Sequence, residues 1–263
     1  MASAPPRLRL LSYMIPGFPL SLFERITEAI DADLDYDDTK SGPAPGEDPF
    51  RAGLAELGWI CSTSFVDLAL RSADPSVALA GVAWVPDDDD AEGRPVYFGD
   101  VVVPQDSPIE SLDDLGGRSI ACNDRVSLSG HMAIRIALHD LGHDPETFVD
   151  LRFTGGHHAS LDQVAAGGVD VAVVDSVVRT SRSRLDPEIA DLRVVARLGP
   201  WPVQPLVAST ALPAAVVAQV RDALLATNDD PLMMSELDAA SLLRFVPVDD
   251  DHYQRVREAL SRF

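Results

Sequence analysis

Two segments of the chain carry the hydroxyl, glycine and histidine residues that could bind a small anion. Residues 127–130 (SLSG) stand between an apolar strand pattern and a helix pattern. The segment Phe153–Ser176 contains His157 ahead of Ser160, and then an apolar run that leads to Asp175. The start of a helix presents unpaired N–H groups and the positive end of the helix dipole, so it attracts anions. The spacing therefore predicts a site for a small anionic or zwitterionic molecule, and not a catalytic triad or a metal cage.

A third strand-to-helix transition, residues 62–64 (STS), also consists of small hydroxyl side chains. In open α/β sheets, ligands bind outside the carboxyl ends of the strands, where such turns collect. Each hydroxyl by itself is better explained as an ordinary helix N-cap, worth ~1 kcal/mol. Their recurrence favours a binding role, and Gly130 would permit close approach to a ligand.

His157 and Asp175 each have two possible roles. The histidine could donate a hydrogen bond to an anion at the helix start, or it could lie solvated in a loop. The carboxylate directly follows an apolar strand pattern, where burial without a partner is costly. We expect Asp175 either to cap the next helix or to bind a cation or hydroxyl of the ligand.

Composition excludes several classes of function. The 263 residues carry a formal net charge of −21, which argues against a nucleic-acid partner. No apolar run approaches the ~20 residues that a membrane span needs. The N-terminal residues 1–17 do not form a secretory signal and offer no cysteine for a lipid anchor, so the chain as written is expected to be cytoplasmic. Cys61 and Cys122 cannot form a disulfide framework, and no local spacing predicts a metal site or a cofactor.

Strand and helix patterns alternate along the chain, which predicts an α/β fold with largely parallel strands. The patterns include a helix around Phe50–Leu57, one buried strand over Ala78–Val85 and a short helix headed by Ser160. We infer two lobes, the second inserted into the first. Lobe 1 comprises residues 1–98 and 198–263, and lobe 2 comprises residues 99–197.

Four elements resemble the phosphate, phosphite and phosphonate substrate-binding proteins of ABC importers. They are a Leu-Asp-Asp-Leu-Gly turn before a strand, the SLSG loop, the segment 155–160 (GGHHAS) and a strand leading to Val-Asp-Ser at 174–176. The resemblance covers about residues 50–263 and is specific between 107 and 176. It implies a type 2 periplasmic-binding-protein fold, with a central sheet in each lobe and a hinge that closes the lobes over a ligand.

The resemblance also implies roles for individual residues. Ser127, Ser129 and the Gly130 backbone would cradle the phosphonate oxygens, and Tyr97 would face the cleft. Leu128 stands where the family has threonine, and His158 stands where an acidic residue is common. The complete candidate ligand-binding set is Ser127, Ser129, Gly130, His157, Asp175, Tyr97, Ser62, Thr63, Ser64 and Tyr13.

The resulting functional prediction is a solute-binding protein that captures a small oxyanion or phosphonate-like ligand without chemistry. The resemblance implies an ABC permease as its partner, in a family that is usually extracytoplasmic. The alternative is an intracellular enzyme of cofactor-precursor biosynthesis, or a ligand sensor, on the same fold. His157 with Asp175 or Cys122 is the only catalytic dyad that the sequence offers to that alternative.

Overall fold

The computed structural model describes residues 7–13, 19–30, 32–39, 43 and 47–262, and for residues 7, 8, 12, 13 and 33–39 it describes the backbone only. The strands are β1 (Arg7–Tyr13), β2 (Asp33–Thr39), β3 (Leu57–Trp59), β4 (Val77–Leu79), β5 (Val82–Pro86), β6 (Val96–Val103), β7 (Ser119–Cys122), β8 (Asp150–Phe153), β9 (Val171–Asp175), β10 (Arg193–Pro202), β11 (Leu206–Ser209) and β12 (Leu242–Pro247). The α-helices are α1 (Leu20–Ala29), α2 (Ser62–Phe65), α3 (Ala133–Asp140), α4 (Pro145–Phe148), α5 (His157–Ala165), α6 (Ser176–Ser183), α7 (Pro187–Ala190), α8 (Ala214–Ala226), α9 (Pro231–Ala239) and α10 (Gln254–Leu260).

Shorter helical turns complete the secondary structure. A π-helical turn, Val66–Leu70, continues α2, and a second one, Leu128–Met132, leads into α3. The 3₁₀ turns are Asp89–Ala91, Leu112–Leu115, Thr227–Asp229 and Asp250–Tyr253.

The chain divides into two compact units. Unit 1 comprises residues 1–96 and 202–263, and unit 2 comprises residues 97–201. Strand β6 begins at the first of these boundaries, and strand β10 ends at the second. The lobe boundaries predicted from the sequence, after residues 98 and 197, fall on the same two strands.

Unit 1 is built around a five-stranded sheet with the order β2-β1-β3-β11-β4. Strand β1 runs parallel to β2 and β3, whereas β11 is antiparallel to β3 and β4. Strands β5 and β12 form a separate antiparallel pair. Trp59 and Phe23 are completely buried and pack edge to face, with ring centroids 5.3 Å apart. The α/β prediction is confirmed, but the sheet is mixed where a largely parallel one was expected.

Two sequence predictions in unit 1 are wrong. The apolar run Ala78–Val85 is not one strand, because Gly81 adopts a left-handed φ of +80° and divides it between two sheets. The predicted helix Phe50–Leu57 is a set of turns followed by β3. There the Asp48 carboxylate accepts from the Phe50 N–H at 2.9 Å, and Gly53 has a φ of +65°. Local turn bonds therefore replace the helical bonds.

Unit 2 is built around a five-stranded sheet with the order β10-β6-β9-β7-β8. Strand β7 runs parallel to β8 and β9, and β6 runs antiparallel to β9. One face of this sheet packs on α5, α6 and α7 through apolar side chains that include Val102, Val174, Leu161 and Val178. Because of these directions, the carboxyl ends of β7, β8 and β9 share one edge with the amino-terminal half of β6.

A buried carboxylate ties three elements of unit 2 together. Asp100 of β6 is fully buried, and it accepts from Arg179 Nε of α6 at 2.6 Å and from Arg197 Nε of β10 at 2.9 Å. The Arg197 guanidinium also lies over the Phe98 ring, 4.3 Å from its centroid. Each carboxylate oxygen has a charged donor, so burial of this group is compensated.

Helix α5 begins four residues earlier than the sequence predicted, because the capping box would make Ser160 the N-cap. Gly156 is its N-cap and His157 its first residue, so Ser160 lies inside the helix and not at its head. The Ser160 hydroxyl is 2.7 Å from Thr154 Oγ1, and it also donates to the Gly156 carbonyl at 3.3 Å. Its hydroxyl therefore fastens the helix to the preceding loop.

Candidate ligand-binding site

The candidate site of unit 2 is the edge of the sheet where β7, β8 and β9 end. Three consecutive elements leave the sheet there: the loop that leads to residues 127–130, the turn before α5, and the start of α6. Gly99 of β6 is paired with Asp175 of β9 at the same edge. The predicted residues of unit 2 thus lie on neighbouring turns because the strand directions bring those turns together.

Ser127 is the N-cap of the helical segment that starts at Leu128. Its Oγ accepts from the Gly130 N–H at 3.1 Å, and its carbonyl accepts from the Met132 N–H at 2.9 Å. The second bond spans five residues, which makes the first turn π-helical. The Ser127 side chain therefore has a structural role, while its own O–H proton stays free to donate to a ligand.

Ser129 lies in the first turn of the same segment, and only 1% of it is exposed. Its hydroxyl forms no hydrogen bond with any residue that the structure describes. The main chain here packs directly on β6: a side-chain carbon added at Gly99 would lie 2.5 Å from the Ser129 carbonyl oxygen. A glycine at position 99 is thus what allows this helix start to contact the sheet.

Gly130 lies against Asn123 and His157. A side-chain carbon at Gly130 would overlap Asn123 Oδ1 and would lie 2.9 Å from His157 Cε1. The sequence analysis assigned this glycine to close approach of a ligand. The space that a side chain would fill is taken up by two protein side chains, and approach of a ligand to the Gly130 backbone stays a prediction.

His157 is held in one tautomer by the backbone. Its Nδ1 accepts from the Asp175 N–H at 3.2 Å, so the proton of the neutral ring resides on Nε2. Burial, with a smaller contribution from His158, lowers the pKa of His157 from 6.5 to about 3. The side chain therefore offers a neutral N–H donor near pH 7. His157 lies at the helix start, and not solvated in a loop.

Asp175 is fully buried and caps α6, as one of its two predicted roles required. Its Oδ1 accepts from the N–H groups of Val177 and Val178 at 2.8 and 3.3 Å. Beside it, the Ser176 hydroxyl accepts from the Phe98 N–H at 3.2 Å and joins this helix start to β6. Contact between Asp175 and a ligand remains a prediction.

Three further positions from the sequence analysis lie in or near this region. Tyr97 is on β6 and 1% exposed, and its side chain leaves the strand on the same face as Gly99. Leu128, which replaces a threonine of the family pattern, is fully buried in the core. His158 is exposed and its Nδ1 accepts from Arg182 at 3.2 Å, so this ring is engaged on the surface of α5 and α6.

The candidate hydroxyls of unit 1 are largely used within the fold. Ser62 is completely buried, and its Oγ lies 3.2 and 3.4 Å from the carbonyl oxygens of Pro202 and Val203. Thr63 Oγ1 lies 3.1 Å from Cys61 Sγ, and Ser64 is half-buried. Tyr13 ends β1, and its side chain lies outside the described residues. A ligand role for these four positions stays a prediction.

Asn123 is the residue of this edge that the sequence analysis did not select. It follows β7 directly, and only 2% of it is exposed. Its Oδ1 is enclosed without a hydrogen-bond partner. The available signal was its position, since a polar residue immediately after a buried strand stands at the carboxyl edge of a sheet.

Neither a cluster of metal-ligating side chains nor a membrane-spanning helix is found in the described part of the chain. No group of three or more His, Cys, Asp or Glu side chains there could hold a metal ion. Among the same residues, no helix combines the length and the apolar character needed to cross a membrane.

A family model decides what kind of protein this is. The model for the periplasmic phosphonate substrate-binding proteins of ABC transporters matches residues 22–253. The chain belongs to this family. As a phosphonate-family substrate-binding protein, it is associated by class with a small ligand and an ABC permease, and the family is described as periplasmic.

Solved structures show the same fold. PhnD1 from Prochlorococcus marinus in complex with methylphosphonate is 17% identical with a TM-score of 0.81, over 98% of each chain. A binding component of an ABC phosphonate transporter from Pseudomonas aeruginosa is 18% identical with a TM-score of 0.79, over 97% of this chain and 86% of the other. The aliphatic sulphonate-binding protein SsuA from Escherichia coli is 15% identical with a TM-score of 0.62, over 98% and 92%. The predicted binding-protein fold is confirmed.

Proposed function

We propose that this protein binds a small tetrahedral oxyanion of the phosphonate class through the Ser127–Gly130 turn and His157 of unit 2. One observation carries the proposal: the Ser129 hydroxyl has no partner among the described residues, and the next residue is Gly130, where an added side-chain carbon would lie 2.9 Å from His157 Cε1. The Ser129 hydroxyl and the His157 Nε2–H can both donate to an oxyanion that reaches the start of the helical segment.

The dipole at this helix start favours an anion even without the help of a cationic side chain. Residues from Leu128 to Asp140 form one continuous helical segment, so its first turn has the positive end of the dipole. Hydroxyl and imidazole N–H donors would add hydrogen bonds to charged oxygens, each worth ~1.5–3 kcal/mol. A ligand of this class would therefore be bound by dipoles and neutral donors.

The geometry also supports binding without catalysis. Burial raises the pKa of the Cys122 thiol to about 12, so this side chain is not a nucleophile near neutral pH. His157 Nδ1 is bonded to the backbone N–H of Asp175 and not to its carboxylate, so the pair is not an acid–base relay. We accordingly propose that the protein is not an enzyme and that it delivers its ligand to an ABC permease.

Calorimetric titration with methylphosphonate, phosphite, phosphate and 2-aminoethylphosphonate tests the proposal. The expected result is saturable one-to-one binding of at least one of these compounds, with a matching rise in melting temperature. A cooperatively folded sample that binds none of the four would overturn the proposed ligand class.

A further inference from the structure

The side-chain amide of Asn123 lies at the edge of the unit 2 sheet where β7, β8 and β9 end. It forms no hydrogen bond with any described residue. Its backbone carbonyl is used, since it accepts from the Gly155 N–H at 2.9 Å. Only 2% of the residue is exposed, and the Oδ1 atom is enclosed without a hydrogen-bond partner. A buried polar atom left in this state costs about 1–3 kcal/mol.

The other asparagine of the chain shows what a structural amide looks like here. Asn228 Nδ2 donates to the Phe245 carbonyl at 2.9 Å, and Asn228 Oδ1 accepts from the Phe245 N–H at 2.9 Å. Both of its polar atoms thus stabilise the link to β12. Asn123 has no such bonds, so hydrogen bonding within the fold does not account for an amide at this position.

The orientation of the Asn123 amide follows from what surrounds its oxygen. Oδ1 fills the space where a Gly130 side chain would lie, and the Cε1 atom of His157 borders the same space. C–H groups are weak donors, so they suit an oxygen better than an N–H₂ group. The Nδ2 atom is therefore directed away from Gly130, and it is not among the enclosed atoms that lack a partner.

We propose that Asn123 is a further ligand-binding and specificity-determining residue, whose Nδ2–H₂ group donates to an oxygen of the bound oxyanion. The inference rests on the proposed function of the turn that contains Ser129. With Asn123 included, the protein groups offered to the ligand are the hydroxyls of Ser127 and Ser129, an imidazole N–H and an amide N–H₂. All of them can donate and only the hydroxyls can also accept, so the site favours a fully ionised tetrahedral oxyanion.

The test is a calorimetric titration of methylphosphonate into wild type, Asn123→Leu and Asn123→Asp. Asn123→Leu is expected to bind methylphosphonate about 10- to 100-fold more weakly, because it lacks one hydrogen bond to a charged oxygen. The same variant should keep or raise the denaturant midpoint of the ligand-free protein, because an unpartnered polar group is replaced by an apolar one of similar size. A purely structural role would lower that midpoint.

The pH dependence separates a donor from an acceptor at position 123. In wild type, the affinity for methylphosphonate should stay constant or rise from pH 6 to pH 8.5, as this ligand loses its last proton. In Asn123→Asp, a carboxylate replaces the donor, so the affinity should be weaker and should fall further over the same range.

Asn228→Leu is the matched control, since it should lower the denaturant midpoint and leave the affinity unchanged. Wild-type affinity in both Asn123 variants overturns the inference, while weakened binding by Ser129→Ala in the same experiment keeps the proposed function. If Asn123→Leu does not fold, the nearly isosteric Asn123→Asp decides alone, and an affinity within twofold of wild type overturns the inference. A wild-type protein that binds no oxyanion overturns both proposals.

Discussion

The backbone N–H of Asp175 donates to Nδ1 of His157 at 3.2 Å. This bond connects the end of β9 to the first residue of α5, and it determines which ring nitrogen carries the proton. An imidazole fixed in this way needs no charge to serve an anion site, because its Nε2–H is already a donor. The proposed anion site depends on this neutral donor beside the helix start at Ser127.

The unfolding free energy should fall as the pH decreases below 6.5. Burial lowers the pKa of His157 to about 3 from 6.5, so in this range the unfolded chain binds a proton that the folded protein does not. The contribution of His157 has a slope of at most about 1.4 kcal/mol per pH unit. Urea titrations of wild type and His157→Gln between pH 7.5 and 4.5 measure it.

The glutamine variant is expected to show the shallower slope, although burial also lowers the pKa values of His131 and His252 and both proteins will lose stability in acid. Equal slopes for the two proteins would show that His157 is not held neutral in the fold.

Gly130→Ala should impair both folding and binding. The added carbon overlaps Asn123 Oδ1 and crowds His157 Cε1, so one or both side chains must move. We expect a loss of about 1–3 kcal/mol in unfolding free energy, as for overpacking of a core, with weaker oxyanion binding. Gly156→Ala is the control, since nothing lies within 4 Å of its added carbon. Equal unfolding free energies and equal oxyanion affinities in the two alanine variants would contradict this packing.

Asp100→Asn should destabilise the protein strongly. The fully buried carboxylate is shared by Arg179 and Arg197, and removing one side of a buried ionic group costs ~3–5 kcal/mol. The exposed pair of Arg221 and Asp222 provides the comparison, because Asp222→Asn should change stability by less than ~1 kcal/mol. Chemical denaturation of both variants measures the difference, and similar values would show that the Asp100 cluster does not stabilise unit 2.

The sequence predicted best what depends on local chemistry. The cap formed by Ser127 and the cap formed by Asp175 follow from a small polar residue placed between a strand and a helix, and both are observed. The sequence misplaces the start of α5 because Ser160-Leu161-Asp162-Gln163 has the form of a capping box, whereas the helix begins at His157, whose ring accepts from the Asp175 N–H.

Other features could not be derived from the sequence because they depend on distant residues. Gly81 divides an apolar run only because its two halves pair with different strands, β11 and β12. The role of Asn123 depends on Gly130 in the turn that follows β7 and on His157 of α5, which is distant in sequence and reaches them only once the sheet of unit 2 has formed. No local pattern predicts that an asparagine will be buried with an enclosed, unpartnered oxygen.

The most direct test of the site is a calorimetric titration of methylphosphonate into wild type, Ser129→Ala and Ser160→Ala at pH 7. Loss of the Ser129 hydroxyl is expected to weaken binding by ~1–3 kcal/mol with little change in the stability of the ligand-free protein. Loss of the Ser160 hydroxyl, which bonds to Thr154, should affect stability and not affinity. Unchanged affinity in Ser129→Ala, with wild type binding the ligand, would contradict the placement of the oxyanion at this helix start.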